Sequence, residues 1–391
     1  MNRNSLIIAL TTTLIYIAVG MTALGLQVLF INKVPDFLIA ILPAVYWTSA
    51  LIFSPMWGIL ADSIGNRRII LIFTVSAAEV ILLLHAIFIS YIAILILRFI
   101  YGFFLSAFLP VSLSLLLIGI PREKTGKQTS IFTSSRSLGF LLSGYTASLI
   151  LYLFNVIDLF IFGALLIGLA ALFLIFIKDS NVAQGSFSNS YRRKTSFKHL
   201  LRLPGKTFIT RNNGHLLVIA LTLRHANTMG ISALVYVYML RKGIPDYLLG
   251  TISSFNTLAQ ILLMYPLGLL SDRIGRKPLI MTGFILSIIV PVSFIFSSNP
   301  ISFAISFILI GVSFSTLISG AGPFLKDIAP KGKEGEALSF LNITRSLGAI
   351  IGPMIVSSLL IYSSYEVMFE VMAIITAIAT LLAFMIEEAL R

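Results

Sequence analysis

The chain contains no cysteine, which excludes disulfide frameworks and thiolate metal sites. Charge is scarce: only 11% of the 391 residues are Asp, Glu, Lys or Arg, too few to cover the surface of a water-soluble domain of this length. Histidine is limited to His85, His199, His215 and His225, scattered along the chain, and nothing in the sequence resembles an active site. A His-rich metal cluster and an acid–base active site are therefore not expected, and no cofactor or metal is assigned.

What fills the chain instead is apolar: 58% of residues are hydrophobic and the mean hydropathy is +1.00. Apolar runs of about twenty residues recur from Leu6 to Ile386, each long enough to cross a hydrocarbon core of roughly 30 Å as a helix. Without water to satisfy the backbone, such runs must be helices, and the alternating polarity of barrel strands is absent. Punctuation by Gly, Pro, Asn and charge predicts spans near 5–31, 37–60, 68–89, 91–119, 129–154 and 157–178. A second six follow near 214–240, 247–270, 278–297, 300–325, 337–362 and 366–387. The expected class is thus an all-α integral membrane protein with twelve spans. Its expected parts are a six-helix bundle over 1–178, a basic linker over 179–213 and a second bundle over 214–391.

The formal net charge of +13 does not point to nucleic acid, because the cations sit in alternate loops between the apolar runs. Placing both termini in the cytoplasm puts Arg67, Arg68, Arg122, Lys124, Arg276, Lys277 and the cluster from Lys178 to Arg211 inside. Only Lys33, Arg241 and Lys242 remain in the opposite loops. The first run, Leu6 to Ile31, exceeds a signal peptide in length, lacks a small-residue cleavage pattern and is read as a retained span in the cell membrane. Residues 196–209 are read either as plain linker or as a basic helix lying on anionic lipid.

The chain repeats itself. Displaced by 210 positions, the separation of Gly20 and Gly230, residues 20–68 align with 230–278 without a gap. Non-apolar matches include Pro35/Pro245, Asp36/Asp246, Gly58/Gly268, Asp62/Asp272 and Gly65/Gly275. Ser135-Arg136-Ser137-Leu138-Gly139 likewise echoes Thr344-Arg345-Ser346-Leu347-Gly348. An even number of helices per copy inserts both copies in the same orientation, one of the known transporter plans.

The loop Gly58-Ile59-Leu60-Ala61-Asp62-Ser63-Ile64-Gly65-Asn66-Arg67-Arg68 and its echo Gly268-Leu269-Leu270-Ser271-Asp272-Arg273-Ile274-Gly275-Arg276-Lys277 resemble the signature loop of the major facilitator superfamily. The resemblance covers essentially the whole chain. It implies two six-helix bundles around a central cavity that opens alternately to either side of the bilayer. In that setting Gly58 and Gly65 are expected to permit close approach of helix ends. Asp62 and Asp272 are expected to latch onto the starts of helices eleven and five, near Arg345 and Arg136; the alternative is that these loops only set topology.

Ionisable groups inside spans are costly and are site candidates by default. Arg98-Phe99-Ile100-Tyr101-Gly102 resembles the family's Arg-x-x-x-Gly element of helix four, which implies a role for Arg98 in proton coupling; the family's usual Gln is replaced by Tyr101. Glu79 in helix three is a proton-carrier candidate, with a helix-packing role as the alternative. Arg224, His225 and Asn227 stand where the first half has Leu14, Ile15 and Ile17; they are candidates for solute or proton contact, histidine because it titrates near neutrality, with snorkelling of Arg224 to the cytoplasmic surface as the alternative. Asp36 and Asp246 follow prolines at helix starts and are read as caps, while Gln27, Asn256, Gln260 and Asn342 are weaker polar candidates.

Helix five, Gly139-Phe140-Leu141-Leu142-Ser143-Gly144, lacks the proline of the exporters' Gly-Pro element, which occurs instead in helix eleven as Gly348-Ala349-Ile350-Ile351-Gly352-Pro353. Spans rich in Phe, Leu and Ile and poor in polar ligands favour proton-coupled efflux of a small hydrophobic or amphipathic compound, by a monomer. Proton-coupled uptake of a small metabolite is the alternative; a membrane enzyme or a channel is a remote one.

Overall fold

The computed structural model describes residues 3–117, 122–177, 213–329 and 334–387; the side chains of residues 62, 122–127 and 334–339 lie outside that description. The linker cations, the 196–209 segment and the Asp62 side chain therefore fall outside the described residues.

Among the described residues the chain is helical: α1 Arg3–Phe30, α2 Asp36–Ile64, α3 Arg67–Ile87, α4 Tyr91–Leu105, α5 Phe108–Leu117, α6 Arg122–Leu153 and α7 Val156–Ile175, then α8 Gly214–Arg241, α9 Asp246–Ile274, α10 Arg276–Ile295, α11 Pro300–Ile328, α12 Glu334–Tyr362 and α13 Tyr365–Phe384. With α4 and α5 taken as one span, eleven segments are long and apolar enough to cross a membrane. The twelfth, α6, is interrupted by Ser, Thr, Gly and Arg136 over its first half. The twelve-helix membrane fold read from the sequence is thus present.

Some of the short connections are closed by side-chain caps. Asn66 accepts a hydrogen bond from the Ile69 amide at 3.2 Å, and Asn299 accepts from Ile301 and Ser302 with Pro300 at the first helical position.

The fourth span is not the continuous helix expected over 91–119. It breaks at Ser106-Ala107 because Pro110 has no amide hydrogen to give and its ring crowds the carbonyl one turn earlier. The Phe103 carbonyl is taken up by the Trp57 indole at 2.8 Å and the Ser106 hydroxyl at 2.8 Å, so the break leaves no orphaned acceptor there.

The described residues fall into two compact units. One comprises Met1–Thr22, Val45–Ser143 and Asn155–Leu203, the other Ala23–Ala44, Gly144–Phe154 and Pro204–Arg391. In the first unit α2 and α4 meet backbone to backbone at Gly102, where an added Cβ would lie 2.6 Å from the Tyr46 carbonyl oxygen. Gly139 approaches Thr13 on α1 as closely, at 2.7 Å.

The second unit has a core of Leu217, Leu221, Ile280, Phe284, Leu317 and Phe324, contributed by α8, α10 and α11. Its α12 lies on α8 through the Gly348 and Gly352 ridge. A Cβ at Gly348 would sit 2.5 Å from the His225 Cβ, and one at Gly352 would collide with the Ala226 carbonyl. Neither neighbour is the yielding end of a long side chain. Gly102→Val and Gly352→Val are each expected to cost about 1–3 kcal/mol or more of stability, read as a lower melting temperature in detergent, whereas Gly58→Ala, with nothing within 4 Å of its Cβ, should be tolerated.

Candidate functional site

The repeated loops are built alike at one position and differ at another. Gly65 and Gly275 adopt φ of 72° and 97°, a left-handed conformation that disfavours any side chain, so each turn requires its glycine. Gly58 and Gly268 have nothing within 4 Å of a built Cβ, so the close helix approach expected at Gly58 is not found among the described residues; Gly65 acts through its backbone angle instead. In the first copy the Arg67 Nε donates to the Ser114 hydroxyl on α5 at 2.9 Å. In the second copy Arg276 Nη1 donates to Asp272 Oδ1 at 2.6 Å and its Nε to Asp327 Oδ2 at 3.2 Å, while Lys277 Nζ lies 5.5 Å from the Phe384 ring. Arg68 follows Arg67 in the first turn of α3, and Arg273 lies in the last turn of α9.

The residues expected to receive the aspartates lie within separate units. In the first, the Arg136 guanidinium is 5.9 Å from the Tyr16 ring; in the second, Arg345 is half-buried on α12.

Inside the first unit Arg98 is 6% exposed. Its guanidinium carbon lies 4.7 Å from the centre of the Tyr46 ring and 5.6 Å from that of Tyr101, so aromatic faces, not a carboxylate, accompany the charge. The neighbouring His85 on α3 is fully buried, its ring 6.0 Å from Tyr101 and 6.0 Å from Phe160. Glu79 points elsewhere: its carboxylate rests on α7 over Gly168, where a Cβ would collide with it. Glu79 and Arg98 therefore do not form one site.

Inside the second unit Arg224 is 2% exposed and lies among hydroxyls. Its Nε donates to Ser287 at 3.2 Å and its Nη2 reaches Ser313 at 3.5 Å, the two serines being 2.6 Å apart; the Phe314 ring lies 5.5 Å from the guanidinium carbon. Asn227 donates to the Ser287 carbonyl at 3.3 Å. Arg224 and Asn227 thus share one polar seam between α8, α10 and α11. His225, although adjacent in sequence, points to the α12 side, with Arg224 and Arg345 as its charged neighbours.

A third constellation, legible in the sequence only as caps and weak polar candidates, occupies one end of the second unit. Asp36 accepts Arg241 Nη2 at 3.0 Å on one oxygen and the Tyr365 hydroxyl at 2.7 Å on the other, and Arg241 also donates to the Ile31 carbonyl at 2.8 Å. Asp36 is therefore a three-helix tie joining α2, α8 and α13, not merely a cap. Asp246 is not the expected cap either: Pro245 holds the N-cap position without a side-chain cap bond, and Asp246, the first helical residue, accepts from the adjacent Tyr247 amide at 2.8 Å.

Below this tie Gln27 of α1 lays its amide along α8. Its Nε2 donates to the Ser232 carbonyl at 2.9 Å and its Oε1 accepts from the Tyr236 amide at 3.0 Å. Further ties at this end are Ser357 to the Phe37 carbonyl at 2.8 Å and the Thr251 amide to Ser148 at 2.8 Å.

Apolar membrane-length helices and duplicated loops with glycine-dependent turns define a polytopic membrane protein built on an internal repeat. The family model described as Major Facilitator Superfamily matches residues 6–254 and 216–390, and the chain belongs to that family of transporters. It is 25% identical over 343 residues to the multi-drug resistance efflux pump PmrA of Streptococcus pneumoniae, covering 85% of this chain and 82% of that one. It is 24% identical over 326 residues to the multidrug resistance protein MdtG of Klebsiella pneumoniae, covering 82% and 77%. Among solved structures, a point mutant of the nucleoside transporter NupG superposes with a TM-score of 0.81 at 16% identity, covering 97% of this chain and 99% of that one. A bacterial homolog of the human lysosomal transporter Spinster, inward-facing and occupied, superposes at 0.77 and 11% identity over 97% and 95%. Both likenesses concern the fold.

Proposed function

We propose that this transporter exports small hydrophobic or amphipathic compounds across the cell membrane in exchange for protons, working as a monomer with both termini in the cytoplasm. Similarity to PmrA over 85% of the chain is the observation that carries the export reading. Its interior supports the substrate class. Most of the buried residues are apolar, and many buried hydroxyls, such as those of Thr11, Thr12, Thr22 and Thr74, are spent on carbonyls of their own helices, which favours apolar solutes over ones that need many directional ligands. Buried ionisable groups at Arg98, His85 and Arg224 supply the positions where a proton gradient could act.

With this orientation the Asp36–Arg241–Tyr365 tie and the Gln27 clip lie at the outer end and hold it shut, while Asp62 and Asp272 with Arg136 and Arg345 serve the cytoplasmic end. Purified protein in liposomes, loaded with a fluorescent amphipathic dye and given an inward proton gradient, is expected to extrude the dye several-fold faster than without the gradient. An unchanged rate rejects proton coupling. Gradient-driven accumulation in the direction of proton flow favours uptake over export.

A further inference from the structure

We propose that His85 is the group that takes up the coupling proton in the first unit, and that it does so in opposition to Arg98; this rests on the proton-coupled reading above. Nine buried side-chain nitrogen or oxygen atoms among the described residues lack a hydrogen-bond partner, and four of them are Ser49 Oγ, His85 Nε2, Arg98 Nε and Tyr101 Oη. Their residues belong to three adjoining helices, α2, α3 and α4. Buried orphans on this scale call for an explanation, and a concentration of them marks a place built for exchange, not for static packing.

The groups facing this place can be named helix by helix. α2 brings Tyr46, against the Arg98 guanidinium, and Ser49, whose Cβ lies 3.1 Å from the Cβ position of Gly102. α4 brings Arg98 and Tyr101, and α7 brings the Phe160 ring. On α3 itself, Glu79 is turned onto Gly168. No described carboxylate faces the cluster. Tyrosine and arginine ordinarily hold their protons near neutral pH, so the imidazole is the member suited to exchange.

Its geometry leaves one nitrogen for that purpose. His85 Nδ1 lies 2.7 Å from the Ile81 carbonyl, which can only accept, so Nδ1 carries a hydrogen and the Nε2 lone pair is bare. Proton uptake forms one N–H bond at Nε2, with hydronium giving up its proton and remaining as water; release is the reverse step. No other bond changes.

The consequence is electrostatic. Tyr46 and Tyr101 offer their ring faces to one cation, and Arg98 already occupies them. A second positive charge on His85 would have no counter-charge in a medium where like charges repel strongly. Seated Arg98 and protonated His85 therefore exclude one another, and proton uptake drives α4 away from α3 toward the alternative conformation.

In liposomes carrying the full chain, His85→Asn and His85→Gln are expected to lose at least tenfold of the gradient-stimulated dye extrusion while retaining dye counterflow, and to flatten the pH profile of net transport. Retention of gradient stimulation by either folded variant overturns the proposal, as does its loss in Glu79→Gln with retention in His85→Asn. Should both histidine variants fail to fold, nitrogen NMR of 15N-histidine protein in the His225→Gln background decides. A buried imidazole that becomes imidazolium as pH falls supports the proposal, and one that stays neutral throughout overturns it. A wild-type protein indifferent to the gradient fails the proton-coupled reading instead, a result distinct from any of these.

Discussion

Arg224→Met is expected to fold as well as the wild type or better, yet to lose transport by roughly tenfold or more, equivalent to about 1.4 kcal/mol of barrier. A guanidinium that is 2% exposed and supported by two serine hydroxyls has given up its hydration for modest compensation. Replacing a buried charge with an apolar side chain of similar length is often neutral or stabilising by about 1–4 kcal/mol. Removing only the supports does the opposite. Ser287→Val with Ser313→Val keeps the charge and strips its hydrogen bonds, each worth about 1.5–3 kcal/mol to a charged group. That double variant should melt several degrees lower, and adding Arg224→Met should restore it. Melting in detergent beside dye extrusion in liposomes checks both halves; full transport by Arg224→Met would make the residue scaffold alone.

Asp36→Asn should loosen the end of the second unit that Asp36 ties together. The Asp36–Arg241 pair is partly exposed, with side-chain exposures of 18% and 46%, so solvent screening limits the ion pair to a fraction of its Coulomb energy. The Tyr365 hydroxyl at 2.7 Å and the Arg241 bond to the Ile31 carbonyl add to it. A combined loss of about 1–2 kcal/mol corresponds to a five- to thirtyfold shift in the balance between closed and open forms. The absence of native cysteine makes the measurement direct: spin labels at Lys33→Cys and Tyr362→Cys report the distance across this end with no background labelling. A longer distance population is expected in Asp36→Asn, a smaller one in Tyr365→Phe. Identical distributions would show that the tie does not govern the opening.

The helices were legible because lipid allows little else, and the duplicated loops because Pro35/Pro245 and Gly65/Gly275 keep strict register. Interruption of the fourth span was less visible: Pro110 lies in an unbroken apolar run, and its effect appears one turn upstream, at Ser106-Ala107. Equivalence within the repeat misled at Asp36. Register pairs Arg241 with Ile31, so the cation that Asp36 uses has no counterpart available to Asp246, and Tyr365 comes from a helix more than three hundred residues away. Arg224 and His225 are neighbours in sequence but lie a third of a helical turn apart, which sends them to different partners. His85 looked like one of four scattered histidines because its importance lies in what α2, α4 and α7 bring to it.

The contact between Gln27 and α8 bears on how readily such a protein can cycle. Ser232 C=O and Tyr236 N–H stand four residues apart, the spacing at which a helix pairs its own groups, and the glutamine amide bridges both of them. Because α8 runs unbroken from Gly214 to Arg241, it keeps its helical form whether or not Gln27 is attached. Release at this point therefore gives up only the hydrogen bonds of a single side chain. Only one side-chain amide must then find new company, from water or from the passing solute.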